Sequence, residues 1–423
     1  MKLRSRLTAP LLAVVAALVL AQYARVWLAI PTGLARTSDF AGTYAAATLW
    51  RGGDAARMYD SAAEERVLRR TGSPADHLDI PFENPPSAAV LAVPFSLIDS
   101  SSAYRLWSLL QLLMVGAGTA LVAAVAPWPS RTPRSVRAAI ALVAFAGFGT
   151  GALWVEGQWD GLSVLGLSLG YWAWRRDRSM LAGVAIGLGA AVAKPHLVLG
   201  VLAFIAGRRD WRAALGAGCA AVAAALATLA AAGPAPLVAF ASLLLTPRYS
   251  PTLEMQSIPG LAGSWLGVSG ASGVIALVLM VGALGVAARL GSHARGRPDS
   301  LEPALAGATA LSLLAAPHLL SHDLVLLAPA LVFSVAWLAR RATETAAAWP
   351  DARAVAALAA WGALSLASLH DLGDSSQGPP GRLTPIALTL VAAACCTVAF
   401  RDRGGTRSAQ RGSVRERLAA GAR

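Results

Sequence analysis

Charged residues in general, and lysine in particular, are scarce in this chain of 423 residues. Only 14% of the residues are charged and 56% are apolar. A soluble protein carries roughly 25% charged residues, so the composition excludes an ordinary soluble globular protein. Of the 36 basic residues 34 are arginine, which leaves only Lys2 and Lys194 as lysines.

Cysteine and nucleotide-binding sequences are also missing or rare. The three cysteines, Cys219, Cys395 and Cys396, lie in hydrophobic stretches, where neither a disulfide framework nor a metal site is expected. The chain has no Walker sequence and no GxGxxG between a strand and a helix. An enzyme that uses a soluble nucleotide sugar needs a domain of that kind, so a lipid-linked donor that arrives through the membrane fits the sequence better.

The net charge of +13 and the pI near 10.8 could indicate a nucleic-acid partner. Most of the arginines, however, flank hydrophobic segments, where basic residues set the orientation of a membrane protein. We therefore expect the basic residues to contact membrane lipids, and we expect no nucleic-acid partner.

Long apolar runs are what the sequence has in abundance. Residues 10–30, 108–126 and 383–400 approach the roughly 20 apolar residues that cross a bilayer. Backbone groups in lipid must be paired within their own segment, so these runs predict helices. The sequence predicts an all-α polytopic membrane protein, with a single domain of about 12 hydrophobic segments over residues 1–400.

Basic residues predict the orientation of these segments. Lys2, Arg4 and Arg6 precede the first run and predict a cytoplasmic N-terminus. That run has no clean cleavage site, so we interpret it as a retained helix and not as a signal peptide. The arginine-rich tail, residues 401–423, is expected to be cytoplasmic and largely disordered.

Two long polar excursions are predicted outside the cytoplasm. The first, residues 32–86, mixes apolar and charged residues at 40–51 and 61–70, which predicts two amphipathic helices on the membrane surface. The turn Arg51-Gly52-Gly53-Asp54 separates them. The second excursion covers residues 233–270.

Two stretches allow alternative topologies. Residues 87–98 are apolar but short, and residues 180–207 contain the sequence Lys194-Pro195-His196. Charge placement favours two short helices that meet at this Lys-Pro-His tip. A single long span at 180–207, with a full crossing at 87–98, gives the same total but places Arg175 to Arg178 outside.

The predicted topology collects polar groups from distant segments on the outer face. Ionisable groups at membrane depth are costly, which makes each a functional candidate. The set comprises Asp39, Glu83, Asn84, Glu156, Gln158, Asp160, Lys194, His196, Gln256, His318, His322 and Asp323.

Residue type leaves two interpretations open for the leading candidates. Asp39 is either a carboxylate favoured by a helix N-terminus or a base that deprotonates a sugar hydroxyl. Lys194 is either a snorkelling lysine near a helix end or, with His196, a cation for a lipid phosphate. Gln158 and Asp160 are either loop polarity or ligands of sugar hydroxyls.

The pair His322-Asp323, with His318 four residues earlier, resembles a metal or proton-relay cluster. No HExxH spacing is present, so we do not expect a metal site. A histidine that shapes the acceptor or proton path and a polar helix cap both fit this pattern.

Five stretches in order carry a family resemblance, and together they span most of residues 38–331. They are SDFAGTYAAATLWRGGDAARMYD, ENPPSAAVLAVPFSLI, EGQWDGLSVLGLSLG, LAGVAIGLGAAVAKPHLVLGVLAFIAGRRDWRAAL and APHLLSHDLVLLAPAL. The chain resembles glycosyltransferase family 87, the polyprenyl-phosphate-mannose-dependent membrane mannosyltransferases of the GT-C class. Where the family tends to have an aromatic residue before Pro-Pro and an Asn after Gly-Gln, this chain has Glu83-Asn84 and Trp159-Asp160.

The resemblance implies an inverting transferase with an extracytoplasmic site and no bound cofactor or metal. It implies a sugar, mannose first, moving from a polyprenyl phosphate to a lipid-linked or cell-envelope glycan acceptor. The expected catalytic residues are Asp39, which matches the base, and His322, which matches the later polar cluster. Lys194 and His196 match the residues that bind the donor phosphate. The expected substrate-binding residues are Glu83, Asn84, Gln158, Asp160, Gln256, His318 and Asp323.

Alternative functions remain at this point. The two departures from the family pattern could mean a different acceptor or sugar, and an arabinofuranosyltransferase of the same family is the nearest competitor. A transporter or flippase of a lipid-linked precursor also fits the Lys194-Pro195 break, although no internal repeat supports it. A non-catalytic assembly scaffold comes last.

Overall fold

The protein is built from helices that run back and forth between two ends. A computed structural model describes residues 2–73, 81–246, 252–344, 352–372 and 380–401, apart from the side chains of residues 2–7 and 34. No strand occurs in these residues. The helices are α1 (Lys2–Ala29), α2 (Thr32–Ala35), α3 (Phe40–Arg51), α4 (Ser61–Arg70), α5 (Pro86–Ala92), α6 (Ser100–Val125), α7 (Arg134–Phe145), α8 (Phe148–Glu156), α9 (Asp160–Trp174), α10 (Ser179–Val192), α11 (Leu199–Arg208), α12 (Trp211–Ala232), α13 (Ala235–Leu245), α14 (Ile258–Leu266), α15 (Gly270–Ala294), α16 (Leu301–Leu314), α17 (Leu327–Glu344), α18 (Ala352–Asp371) and α19 (Leu383–Arg401).

Seven of the helices are long and apolar enough to cross a membrane: α1, α6, α12, α15, α17 with the 3-10 turn before it, α18 and α19. The bent pair α7 and α8 would be an eighth span. Helices α9, α10, α11 and α16 complete a bundle of twelve apolar segments within the described residues. The predicted all-α polytopic membrane protein is confirmed.

A break divides the predicted span at 138–154 into α7 and α8, which meet at 55°. Gly147 lies at the bend, where the ring of Trp361 packs so closely that a Cβ would lie 2.2 Å from it. The backbone N–H of Phe148 donates to Ser365 Oγ at 3.3 Å. Helix α18 therefore packs into the bend. Its Ser365 also accepts a hydrogen bond from one of the backbone N–H groups that the break leaves without a partner in the helix.

Helices α10 and α11 form a V that returns to its starting end. Gly183 and Gly187 of α10 lie against Ala213 and Ala217 of α12 in the same order, so the two helices run in the same direction. Trp174, just before the V, donates from Nε1 to Asp210, just after it, at 3.1 Å. This geometry supports the interpretation of two short helices meeting at Lys194-Pro195-His196.

The two ends of the bundle differ in their basic residues. We call the end that holds Asp39, Glu156, Lys194 and His322 the site end, and the opposite end the basic end. Five connections at the basic end each carry three arginines, counting the adjoining helix turns: Arg131, Arg134, Arg137; Arg175, Arg176, Arg178; Arg208, Arg209, Arg212; Arg289, Arg295, Arg297; and Arg340, Arg341, Arg353. At the site end, the only lysine and arginine in the described residues of the short connections that follow α8, α10, α16 and α18 are Lys194 and Arg382. The first long loop, at the same end, carries six arginines: Arg36, Arg51, Arg57, Arg66, Arg69 and Arg70.

The first long loop folds over the site end. Helices α3 and α4 occupy the two stretches predicted to be amphipathic, and the Asp60 carboxylate caps α4 by accepting from Ala63 N at 3.0 Å. Phe40 of α3 stacks on Trp107 of α6, with 5.4 Å between ring centroids. Helix α5 and a following 3-10 turn are too short to cross a bilayer, and Ser87 Oγ donates to Ala191 O at 3.3 Å.

Parts of both predicted outer segments, residues 74–80 and 247–251, and the tail after 401 lie outside the described residues.

Candidate functional site

Asp39 stands at the start of α3, where solvent reaches it. Its carboxylate makes no capping hydrogen bond to the helix. Instead, Gln158 Nε2 donates to Asp39 Oδ2 across 119 residues of sequence. The remaining oxygen, Oδ1, has no hydrogen-bond partner among the described residues, and the side chain is exposed. Asp39 thus lies where a helix N-terminus favours a carboxylate, but its side chain bonds Gln158 and not the helix, so both interpretations of this residue stay open.

The turn that carries Gln158 is fixed from both sides. Gly157 ends α8 in the left-handed conformation, with φ of 70°, and a Cβ there would lie 3.0 Å from Phe40 Cβ. Trp107 Nε1 donates to Gly157 O at 2.8 Å, and Trp159 Nε1 donates to Thr43 Oγ1 at 3.1 Å. Glycine is suited to this turn because it adopts positive φ without steric cost. These contacts hold α3 and the end of α8 together.

Glu156, the last residue of α8, meets His322 on the 3-10 turn Ser321–Leu326. His322 Nδ1 hydrogen-bonds the Glu156 carboxylate, and His322 Nε2 lies 3.4 Å from Asp323 Oδ1. The two elements approach closely because Gly149 has no side chain: a Cβ would lie 2.7 Å from Val325 N. The imidazole is thus buried between two carboxylates from distant parts of the chain.

Lys194 is buried at the tip of the V and holds two further aspartates. Its Nζ donates to Asp323 Oδ1 at 2.7 Å and to Asp160 Oδ2 at 3.3 Å. Asp323 Oδ2 also accepts from Leu320 N at 2.7 Å. A lysine ammonium has three N–H donors, so two are used here and one remains. The lysine therefore ties α9, the α10–α11 tip and the 3-10 turn into one unit.

Carboxylates outnumber cations in this cluster. Asp39, Glu156, Asp160 and Asp323 lie around Lys194 and His322. Dehydration by surrounding protein, followed by the charge of Glu156, raises the pKa of Asp39 above its usual range. Asp39 is also reached by solvent, so we interpret this side chain as the wall of a water-filled recess. A raised pKa suits a group that must gain a proton during a reaction.

Two sets of side chains have the spacing of metal ligands. The ligand atoms of Asp39, Glu156 and His322 all lie within 4.8 Å of one another, as do those of Asp160, His322 and Asp323. In the second set the Lys194 ammonium already balances both aspartates. In the first, Glu156 and His322 are bonded to each other and would have to separate. The expectation of a metal-independent site stays a prediction.

Six of the predicted site residues come together in this network: Asp39, Gln158, Asp160, Lys194, His322 and Asp323. His196 and His318 lie beside it as a perpendicular ring pair, with 6.2 Å between centroids. Burial lowers the pKa of His318 to about 4, so its ring is neutral near pH 7. His196 Nε2 is buried without a hydrogen-bond partner among the described residues.

The contacts of Gln256 and Asn84 lie outside this network. Gln256 supports the 3-10 turn from behind, donating from Nε2 to Ser321 Oγ at 2.7 Å and from its backbone N–H to Leu319 O at 2.8 Å. The backbone carbonyl of Asn84 accepts a hydrogen bond from Tyr59 OH at 2.7 Å. Glu83 is the residue before Asn84. Their proposed roles in substrate binding stay predictions.

Glu156 is the site residue to which the sequence assigned no role. The sequence placed it on the outer face, two residues before Gln158, but gave no reason to link it to His322. Its position in the same short polar island as Gln158 and Asp160 was the available signal.

Comparisons with known proteins agree with this architecture. Residues 82–317, more than half of the chain, match the model of glycosyltransferase family 87. Searches of curated proteins and of solved structures found no match. The matched segment contains Gln158, Asp160 and Lys194, whereas Asp39 and His322 lie on either side of it. By this match the chain belongs to glycosyltransferase family 87 and is a glycosyltransferase.

Proposed function

We propose that the protein is an inverting glycosyltransferase that moves a sugar, mannose first, from a polyprenyl phosphate to an acceptor hydroxyl. The acceptor is a lipid-linked or cell-envelope glycan, and the reaction takes place on the extracytoplasmic face. The observation that supports this most directly is Asp39, a solvent-reached carboxylate with one open oxygen beside groups from four other segments. Family membership supplies the reaction class.

In the proposed reaction Asp39 Oδ1 accepts the proton of the acceptor hydroxyl. Gln158 holds the other carboxylate oxygen, so the base has a fixed orientation. The acceptor oxygen forms a bond to the anomeric carbon from one face. The bond between that carbon and the phosphate oxygen breaks on the opposite face, and its electron pair leaves with the phosphate. The configuration at the anomeric carbon is therefore inverted.

The donor phosphate is proposed to lie beside Lys194, His196 and His318. Lys194 keeps one N–H donor after its contacts with Asp160 and Asp323, and His196 Nε2 is buried without a hydrogen-bond partner among the described residues. Hydrogen bonds from charged donors to phosphate are stronger than neutral ones. A phosphate is already a good leaving group, so these contacts suffice without a strong general acid.

The extracytoplasmic location is proposed from the arginines. Basic residues favour the cytoplasmic side of short connections, and five arginine triplets lie at the basic end. The site end is then outside, and both termini of the described chain, which lie at the basic end, are cytoplasmic.

The experiment is sugar transfer by purified protein in proteoliposomes with defined donors. Polyprenyl-phosphate mannose and polyprenyl-phosphate arabinose are supplied separately with an envelope lipid extract as acceptor, and the lipids are analysed for added sugar. Transfer of mannose with inverted configuration is the expected result. If only arabinose were transferred, the donor sugar would be arabinose and not mannose. Passage of the donor across the bilayer with no glycosidic product would favour a flippase.

A further inference from the structure

A second cavity, of about 600 Å³, lies between α6 and α7 at the basic end of the bundle. It is separate from the cluster around Lys194 and His322, because none of the residues of that cluster lines it. Small side chains widen this groove along both helices: Gly116, Ala120, Ala123, Ala124, Ala138 and Ala141. The walls are apolar and deep enough to receive part of a hydrocarbon chain.

Two arginines stand at the mouth of the groove. Arg134 and Arg137 lie one turn apart at the start of α7, so both side chains project from the same face. Neither forms an ion pair with a described acidic residue, and Arg137 Nε is buried without a hydrogen-bond partner among the described residues. The preceding residue is Pro133, which gives α7 no side-chain cap, and its first turn contains no acidic residue.

These features leave positive charge uncompensated at the entrance of an apolar groove. The free N–H groups of an uncapped helix start attract anions, and two arginines beside them add to that attraction. A soluble anion would use the arginines but not the apolar walls. A transmembrane helix of a partner would use the walls but leave Arg137 unpaired. An anionic lipid uses both.

We propose that this groove binds an anionic glycerophospholipid of the leaflet at the basic end. The phosphate contacts Arg134 and Arg137, and one acyl chain lies along the small residues of α6. The lipid then fixes the start of α7, whose continuation α8 carries Glu156. This binding site does not depend on which sugar or acceptor the protein uses.

The test measures lipid retention by the full-length protein in nanodiscs of equal phosphatidylglycerol and phosphatidylcholine. Native mass spectrometry counts the lipids that stay bound after ejection. Wild type should retain phosphatidylglycerol preferentially, and Arg134→Gln with Arg137→Gln should reduce that preference roughly tenfold, since each basic residue near the surface adds to anionic-lipid attraction. Arg178→Gln with Arg212→Gln removes the same charge at the same end, outside the groove, and should keep the preference.

A second variant separates the groove from surface charge. Ala120→Leu with Ala124→Leu fills the groove and leaves both arginines in place, and it should also lose the retained lipid. Three results would overturn the proposal: full retention in the Arg134→Gln/Arg137→Gln protein, full retention in the filled groove, or equal loss in the Arg178→Gln/Arg212→Gln control. Displacement of the lipid by millimolar inorganic phosphate would likewise contradict it, because a free anion would then suffice.

Discussion

Asp39 combines a fixed oxygen with an open one. Gln158 Nε2 donates to Oδ2, while Oδ1 has no hydrogen-bond partner among the described residues and the side chain is exposed. Its pKa is raised by dehydration and by Glu156, and a base must be ionised before it can accept a proton. The rate of the proposed reaction should therefore fall on the acid side at a pH above the usual carboxyl pKa of about 3.9.

The Glu156→Gln variant tests this electrostatic coupling. Removing the Glu156 charge removes one of the two causes that raise the pKa of Asp39, so the acid limb of kcat/KM should move to lower pH. The measurement is the pH profile of sugar transfer by the purified variant. Glu65→Gln, on the exposed face of α4, is the matched control and should leave the profile in place. An acid limb that stays at the same pH or moves to higher pH in Glu156→Gln would show that the charge of Glu156 does not raise the pKa of Asp39.

Lys194 is the cation on which the inner part of the site depends. It lies between two buried carboxylates, Asp160 and Asp323, and the three together carry one excess negative charge when all are ionised. Replacing the lysine with a neutral residue leaves two buried carboxylates without the cation between them, whereas neutralising Asp160 leaves the ion pair of Lys194 with Asp323 in place. Removal of one partner of a buried pair costs about 3–5 kcal/mol.

We therefore expect Lys194→Met to lower the free energy of unfolding by about 3–5 kcal/mol, and Asp160→Asn by clearly less. Denaturant unfolding of the purified variants in detergent provides the comparison. If Asp160→Asn lowered the free energy of unfolding more than Lys194→Met, the lysine would not be the group that balances the negative charge of this cluster.

At the scale of elements, the site depends on two interruptions of apolar segments. The break between α10 and α11 brings Lys194 to Asp323, and the bend between α7 and α8 brings Glu156 to His322. Helix α8 can lie against the 3-10 turn only because Gly149 has no side chain. The polar groups of the site are thus supplied by the ends of short elements that lie inside the protein.

Gly149→Ala should separate α8 from the turn. The new Cβ would lie 2.7 Å from Val325 N and 3.1 Å from Ser321 O, both in backbone that cannot move aside easily. Overpacking of this kind costs about 1–3 kcal/mol, and we expect a loss of transfer activity of at least roughly tenfold from the displaced Glu156.

Gly218→Ala is the control, because a Cβ at that position of α12 meets no atom within 4 Å. It should leave activity unchanged and be neutral or slightly stabilising, since alanine is favoured in helices by about 1 kcal/mol. Thermal unfolding and initial transfer rates of both variants provide the measurement. Normal activity in Gly149→Ala would show that the close approach does not position the site.

Local signals in the sequence predicted the elements better than the contacts between them. The helices at 40–51 and 61–70 and the Lys194-Pro195 break are predicted by local patterns, and the structure contains all three. In α3, however, nine of the twelve residues are buried, so this helix packs inside the protein and does not lie on a surface. The bend at Gly147 was missed because no proline marks it and the cause, Trp361, is more than 200 residues away. The Glu156–His322 contact was missed for the same reason, since it joins residues 166 positions apart.

The whole molecule has an asymmetry between its two ends. The site end carries the first loop and the carboxylate cluster, and the basic end carries the arginine triplets. The even number of segments returns the described chain to the end at which it began. The positive-inside rule predicts a membrane orientation with the basic end in the cytoplasm.

Cysteine labelling tests this orientation. Ser38→Cys, beside Asp39, should react with a membrane-impermeant maleimide in intact cells, and Ser179→Cys, at the start of α10, should react only after permeabilisation. The native Cys219, Cys395 and Cys396 lie in hydrophobic helices, and wild type is the control for their background. The reverse pattern of labelling would place the site in the cytoplasm.

The central claim is that Asp39 is the base for sugar transfer, and the most direct test is transfer by Asp39→Asn in proteoliposomes with the donor that wild type uses. We expect the rate to fall by about 10²–10⁴, with unchanged membrane insertion and donor binding. Asp54→Asn, in the same loop and away from the cluster, should transfer at the wild-type rate. Undiminished transfer by Asp39→Asn would contradict the account.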